Sequence, residues 1–135
     1  MICLDTNVVI AAIANRVPGV RHRLGEQLRA RAAVSLPAVA LYELRYGCAR
    51  SDRRAQSEAI LTAFLAQGVP VLPFESEDAD HAGDIRAQLE KAGQPIGHYD
   101  ILIAAQARRR GATLVTANTR EFLRVPGLLV VDWAA

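Results

Sequence analysis

Five short apolar runs, at residues Ile2–Leu4, 33–36, 69–72, Thr113–Val115 and 128–131, constrain this chain more than any other feature. None of them alternates polar with apolar side chains. A strand with one wet face would alternate, so these runs fit strands buried on both faces, as in a parallel sheet. Helical stretches separate them. Residues 20–32 carry Leu24 and Leu28 four positions apart, and Pro37 opens Ala38–Ala49. Ser51 or Asp52 can cap 53–67; residues 75–92 place Ala82, Ile85 and Leu89 on one stripe before Gly93; residues 98–110 stop at Gly111. Proline suits a first helical turn and glycine a helix end. The expected fold class is α/β, a three-layer α/β/α sandwich around a mainly parallel five-stranded sheet. The 135 residues make one domain, 1–135. Sheets of this kind bind ligands at the carboxyl ends of their strands, where functional residues are therefore sought.

Several classes are disfavoured at once. A content of 51 % hydrophobic and 22 % charged residues is that of a folded chain rather than a disordered one. No basic stretch precedes an apolar one at the start, so no secretory leader is expected. No apolar run approaches the ~20 residues of a membrane helix, and a cytoplasmic location with no membrane association is expected. Cys3 and Cys48 lack the spacing of a zinc site and read as two buried thiols. His22, His81 and His98 form no convincing serine–histidine–acid set, and no phosphate-binding glycine loop is present.

Four polar positions stand where a purely structural account is strained. Asp5 directly follows the first strand; it can cap the next helix, as can Thr6 and Asn7 beside it. Glu43 lies within Ala38–Ala49, and its neighbours three and four positions away are Val39, Ala40, Tyr46 and Gly47. That face is apolar or small, so the carboxylate points toward packed surface, where it needs an arginine or a metal ion. Asp100 opens 98–110, where a negative charge suits the helix dipole, yet Ile103, Ala104 and Ala107 share its face. Asn118 follows the strand that ends near Thr116, and Glu121 three residues on can close a capping box with it. Together these groups can converge on one edge of the sheet. Clustered carboxylates repel unless neutralised, and hard divalent cations such as Mg²⁺ or Mn²⁺ are the natural neutralisers. Such ions promote phosphodiester hydrolysis.

At these residues the chain resembles PIN-domain ribonucleases, specifically the VapC-type toxins of type II toxin–antitoxin pairs. The matching segments are LDTNVVIAA at 4–12, LPAVALYELRYG at 36–47, IRAQLEKAGQPIGHYDILIAAQA at 85–107 and LVTANTREFLRVPGLLVVDW at 114–133. The resemblance implies Mg²⁺- or Mn²⁺-dependent endonucleolytic cleavage of RNA, leaving 5′-phosphate and 3′-hydroxyl ends. It implies metal binding and water activation by Asp5, Glu43 and Asp100, with Thr6 and Asn7 lining the site and Thr116 and Glu121 supporting it. A fourth acidic position of many PIN domains falls on Asn118, as in many relatives of this subgroup, and Glu121 is a candidate for the missing carboxylate. It further implies a homodimer, a tRNA or rRNA substrate, and a groove for the C-terminal segment of a VapB-type antitoxin, whose basic group can plug the acidic site.

The formal charge of +2 hides an uneven distribution. Residues 16–31 hold Arg16, Arg21, Arg23, Arg29 and Arg31 against Glu26 alone; residues 45–54 hold Arg45, Arg50, Arg53 and Arg54 against Asp52. Arg16, Arg21, Arg23, Arg45 and Arg50 are the candidate RNA contacts. Arg108, Arg109 and Arg110 are read as complements to a helix dipole. Glu75, Glu77, Asp78, Asp80 and Asp84 are read as an acidic surface strip that RNA avoids. With Asp5, Glu43 and Asp100 assigned to a cation, 11 acids remain against 16 basic residues, a balance of +5. Val8, Val9, Ile10 and Ile13 are read as exposed apolar material for a partner. Two alternatives stand beside the nuclease: a non-catalytic PIN-like module that binds RNA or a partner, which Asn118 favours, and a phosphotransfer domain, which Asn7 disfavours because the common phosphatase pattern needs a second aspartate there.

Overall fold

All five apolar runs contribute strands, and every pairing between them is parallel. A computed structural model describes residues 1–134. Its elements are β1 (Ile2–Leu4), α1 (Thr6–Ala14), α2 (Pro18–Arg29), β2 (Val34–Pro37), α3 (Ala38–Ala49), α4 (Arg54–Leu65), β3 (Val71–Leu72), α5 (Ser76–Lys91), α6 (His98–Arg109), β4 (Thr113–Val115), α7 (Thr119–Phe122) and β5 (Leu129–Val131). The strand order is β3-β2-β1-β4-β5. Right-handed crossovers therefore send α1–α4 to one face and α5–α7 to the other, the expected sandwich. Among the described residues no helix is long and apolar enough to cross a membrane.

The order reverses at β1. The chain moves outward through β2 and β3, then returns to lay β4 on the other side of β1. Cys3 lies beside Ser35 on one flank and Leu114 on the other. A crevice opens at the carboxyl ends of strands at such a switch point. Here those ends belong to β1 and β4, followed at once by Asp5 and by Thr116 to Asn118.

The central strands are buried on both faces: Cys3, Leu4, Val34, Leu36, Leu114 and Val115 are all inaccessible or nearly so. The outer two depart from the sequence expectation. Val71 on β3 and Leu129 and Val131 on β5 are exposed. Each of these strands pairs on one side only, and each is two or three residues long. A short edge strand cannot be covered from both sides, whatever its composition. A second correction concerns α1. Val8 and Val9 lie in the core and only Ile10 is exposed, so the helix is less available to a partner than its apolar content suggested. Cys3 and Cys48 are buried and free, as expected. Burial pushes the Cys3 thiol up to about 11, which leaves it unreactive.

The acidic strip is not wholly a surface. Asp78 is fully buried and joins α5 to α6. Its Oδ1 accepts from Arg109 Nε at 3.0 Å and Arg110 Nη1 at 2.9 Å, and its Oδ2 accepts from the Glu75 N–H at 2.8 Å. Arg109 also reaches Glu75, and Arg108 donates to His81 Nδ1 and to the Pro126 carbonyl. These arginines thus clamp neighbouring elements onto α6, a role beyond the dipole complement expected of them. Burial alone would raise the Asp78 carboxyl, but hydrogen bonds from Arg109, Glu75 and Arg110 outweigh it and hold it below the usual range.

Gln106, also fully buried, works from the same helix. Its amide donates to the carbonyls of Leu72 and Pro73, and its oxygen accepts from the Val39 N–H. One side chain of α6 therefore closes the end of β3 and one orphan donor at the start of α3. It fixes where α3, the carrier of Glu43, begins.

Candidate functional site

Asp5 leaves β1 while still part of the ladder, since its N–H donates to the Val115 carbonyl at 3.0 Å. It then caps α1: its Oδ1 accepts from the Thr6 N–H at 2.8 Å. The expected cap is thus present, but it occupies one carboxylate oxygen only. Oδ2 accepts from Thr116 Oγ1, also at 2.8 Å. Thr116 is fully buried, and its Oγ1 in turn accepts from the Asn118 N–H at 2.9 Å. That amide fixes the hydroxyl proton toward Asp5, so the turn after β4 holds the carboxylate after β1.

Thr6 makes the second link. Its Oγ1 donates to Glu43 Oε1 at 2.8 Å, tying α3 to the β1–α1 turn. The arginine partner considered for Glu43 is not what holds it. Nor is its face fully packed: Glu43 is half-buried, with Tyr46 and Gly47 exposed one turn on. Asn118 donates from its amide nitrogen to Glu121 Oε2 at 3.0 Å. The expected capping box is absent, because the Asn118 side chain serves Glu121 rather than a backbone N–H of α7. Among the described residues the Asn118 side-chain oxygen takes no part in this bond and remains an acceptor.

Asp100 stands on the first turn of α6 with Ile103, Ala104 and Ala107 buried along its face. Gly97 makes room for it: a Cβ there would lie 3.2 Å from Asp100 Oδ2. Burial pushes the Asp100 carboxyl up to about 6, with Asp5, Glu43 and Glu121 adding repulsion. Burial also raises Asp5, against the lowering hydrogen bonds from Thr116 and Thr6, and Glu43 adds to the rise. Four carboxylates from four parts of the chain therefore share one electrostatic neighbourhood. None of the salt bridges among the described residues involves Asp5, Glu43, Asp100 or Glu121.

The donor set fits a hard divalent cation: oxygen atoms only, anionic, and half-open to water. Among the described residues no group of three or more histidine, cysteine or acidic side chains is close enough together to hold a metal ion by itself. Mg²⁺ does not require one, because it keeps several waters and takes one or two carboxylates. Burial of the Asp100 charge, with the repulsion added to it, has a measurable consequence. A carboxyl raised in the folded state withholds stability above its folded pKa and returns it as the pH falls toward the unfolded value. Without divalent cations, Asp100→Asn is expected to melt about 2–4 °C higher than the parent at neutral pH, allowing for partial exposure. The gain should shrink between about pH 6 and pH 4 in a thermal denaturation series. A variant that melts lower at neutral pH would show that the buried Asp100 charge carries no such cost.

The remaining sequence candidates are dispersed. Asn7 is exposed on α1 and has no side-chain bond to the others among the described residues. Arg21 is turned to the last carbonyls of α1, donating to Ala12 and Ile13 at 2.8 Å each. Arg16 shares the wall of a cavity of about 450 Å³ with Glu43. Arg50 lies over the Tyr46 ring, 5.5 Å from its centroid. Arg23 and Arg45 are exposed on α2 and α3. Gly97 and Gln106, which position Asp100 and α3, escaped the sequence reading. Gln106 left a signal, as the one polar residue in an apolar run from 101 to 107.

A family model described as the PIN domain matches residues 2–128. The chain is 39 % identical over 131 residues to the tRNA(fMet)-specific endonuclease VapC of Shigella flexneri, covering 97 % of this chain and 96 % of that protein. It is 35 % identical over 130 residues to the ribonuclease VapC2 of Rickettsia felis, covering 96 % of each. Among solved structures, VapBC2 of Rickettsia felis bound to a promoter DNA fragment superposes with a TM-score of 0.91, at 32 % identity over 98 % of this chain and 99 % of that one. DNA-bound VapBC of Salmonella typhimurium superposes with a TM-score of 0.90, at 36 % identity over 98 % and 97 % of the two chains.

Proposed function

The chain belongs to the PIN-domain family, and we propose on that basis that it is a metal-dependent endoribonuclease, the toxin of a toxin–antitoxin pair, acting in the cytoplasm. The observation that carries the chemistry is the acidic cluster of Asp5, Glu43, Asp100 and Glu121, none of which forms an ion pair among the described residues. Asp5 and Asp100 would hold Mg²⁺ or Mn²⁺, with Glu43 binding directly or through water and Asn118 and Glu121 flanking them. The bound cation supplies Lewis acidity, which lowers the pKa of water and stabilises charge on phosphate oxygens.

The protein's own part is positioning. Thr116 and Thr6 hold Asp5 by its two oxygens, so its free lone pairs have a fixed direction. Glu43, held by Thr6 through one oxygen, keeps the other to orient the attacking water in line with the scissile bond. Water adds to phosphorus, the bond to the 3′ oxygen breaks, and 5′-phosphate and 3′-hydroxyl ends result. A folded RNA such as a tRNA is the substrate class, by analogy with the name of the Shigella relative.

A VapB-type antitoxin is the partner suggested by the VapBC complexes. A cleft of about 730 Å³ between α1, α2 and α4 suits such a segment, with Leu24, Leu28 and Phe64 on its walls and Arg21 and Arg29 among its charged groups. Its neighbour shares Ile13 and Ile60 with it and reaches Glu43, so a bound segment could extend to the site. A homodimer completes the assembly.

The test is cleavage of structured RNA by the purified, partner-free chain in Mn²⁺, Mg²⁺ and EDTA. Cleavage in the metals and none in EDTA is expected. A folded chain that cuts no RNA in either metal would leave the non-catalytic module as the better account.

A further inference from the structure

Three tyrosines stand exposed beside the acidic site. Tyr42 and Tyr99 are about half accessible and Tyr46 is 58 % accessible, among the most exposed large apolar side chains of the chain. Tyr42 precedes Glu43 on α3 and Tyr99 precedes Asp100 on α6. Their rings meet across the two helices with centroids 5.3 Å apart at 57°, and their hydroxyls lie 3.4 Å from each other. Tyr46 follows Tyr42 by one turn, and Arg50 follows Tyr46 by another and lies over its ring. Tyr42 and Tyr46 on α3 and Arg50 at its C-cap thus form one face, about 12 Å long at 1.5 Å per residue. It starts at the carboxylates and ends among Arg50, Arg53 and Arg54.

We propose that this face is a stacking track for the unpaired bases of a single-stranded RNA segment, which it guides into the acidic site. The inference rests on the nuclease reading for its substrate. Its physical basis is the sign of the charge. Until a cation offsets them, four carboxylates oppose an approaching phosphate, so contacts that do not depend on charge are what can hold a strand close to the site. Aromatic faces provide it for any base, and tyrosine does so with little side-chain entropy to lose. Arg50 combines both means, since a guanidinium stacks on rings and binds phosphate. The charge gradient along the face, acidic at one end and basic at the other, orients a strand whose bases stack and whose distal phosphates meet arginines. A paired helix would offer no free base face here, so the track selects loops and ends.

The test uses the full chain and a single-stranded oligoribonucleotide carrying 2-aminopurine, whose fluorescence falls on stacking. Binding is measured in EDTA, where cleavage is absent, and KM and kcat are measured in Mn²⁺ with unlabelled RNA. Tyr42→Ala and Tyr46→Ala are each expected to raise Kd and KM by about 10-fold, with kcat within about twofold. Tyr42→Phe and Tyr46→Phe are expected to keep the parental values, because the ring face and not the hydroxyl does the work. Unchanged Kd in the alanine variants would overturn the proposal, as would phenylalanine variants as weak as the alanine ones. Alanine variants that alter the sedimentation mass and leave Kd unchanged would make the face a contact between copies of this chain instead. A parent that quenches 2-aminopurine yet cuts no RNA would end the nuclease reading and leave the track standing.

Discussion

RNA cleavage in Mn²⁺ by an Asp5→Asn chain should fall by about 10²–10³-fold, with most of the loss in kcat. The substitution keeps the size of the side chain and removes its charge. It also turns a donor toward one of two positions that already offer protons, the Thr6 N–H and Thr116 Oγ1. Thr116 Oγ1 has two lone pairs, so it can accept from the new amide as well as from the Asn118 N–H, but its own proton then loses the carboxylate that received it. Thr116→Val separates the two effects. It leaves the Asp5 charge and removes only the hydroxyl that aims it, and losing such a supporting bond costs about 10–100-fold in metal affinity or activity. The check is single-turnover cleavage across a Mn²⁺ titration. If Asp5→Asn cuts within threefold of the parent, Asp5 is a helix cap and nothing more.

The largest effect on stability is expected at Asp78, far from the chemistry. Asp78→Ala leaves the Arg109 and Arg110 guanidinium groups without their buried partner and the Glu75 N–H without its acceptor. Breaking a buried pair by removing one member costs about 3–5 kcal/mol. In a domain of this size that corresponds to a melting temperature lower by about 10–20 °C. Asp78→Asn retains an acceptor for Glu75 and should fall between the two. The pH dependence has the sign opposite to that of Asp100. The Asp78 carboxyl is held below its ordinary value, so its contribution is complete above about pH 4 and is lost as the pH falls through the lowered value. Thermal melts should therefore show Asp100 between about pH 6 and pH 4 and Asp78 only below that window. An Asp78→Ala chain that melts with the parent would show that packing, and not the ion pairs, joins α5 to α6.

Much of the candidate site could be seen in the order of the residues. Asp5 directly follows one apolar run and Asn118 lies three residues beyond another, and a parallel sheet places the carboxyl ends of its strands on one edge. Asp100 shares a helical face with residues that had to be buried, and they are. Glu43 was visible as an acid in small, apolar surroundings, though it is half-buried rather than packed away, and the Thr6 hydroxyl rather than an arginine holds one of its oxygens. The reading of Asp78 failed for the reverse reason. Five acids within ten residues look like solvated surface, and nothing local distinguishes the one that meets two arginines about 30 positions away.

The sequence by itself determined the architecture and the inventory of chemistry. Period and composition are local properties, so buried strands, helices and the acids between them can be read along the chain. Only the tertiary structure decided which acids meet which donors. The hydroxyl of Thr116 reaches Asp5 across 111 positions, that of Thr6 reaches Glu43 across 37, and Tyr42 meets Tyr99 across 57. Such contacts depend on the reversal of strand order at β1 and on the packing of α3 against α6. Those are set by how whole faces pack, and no short segment carries that information. The same five strands could form in a sheet of another order, and the four carboxylates would then be an ordinary set of caps.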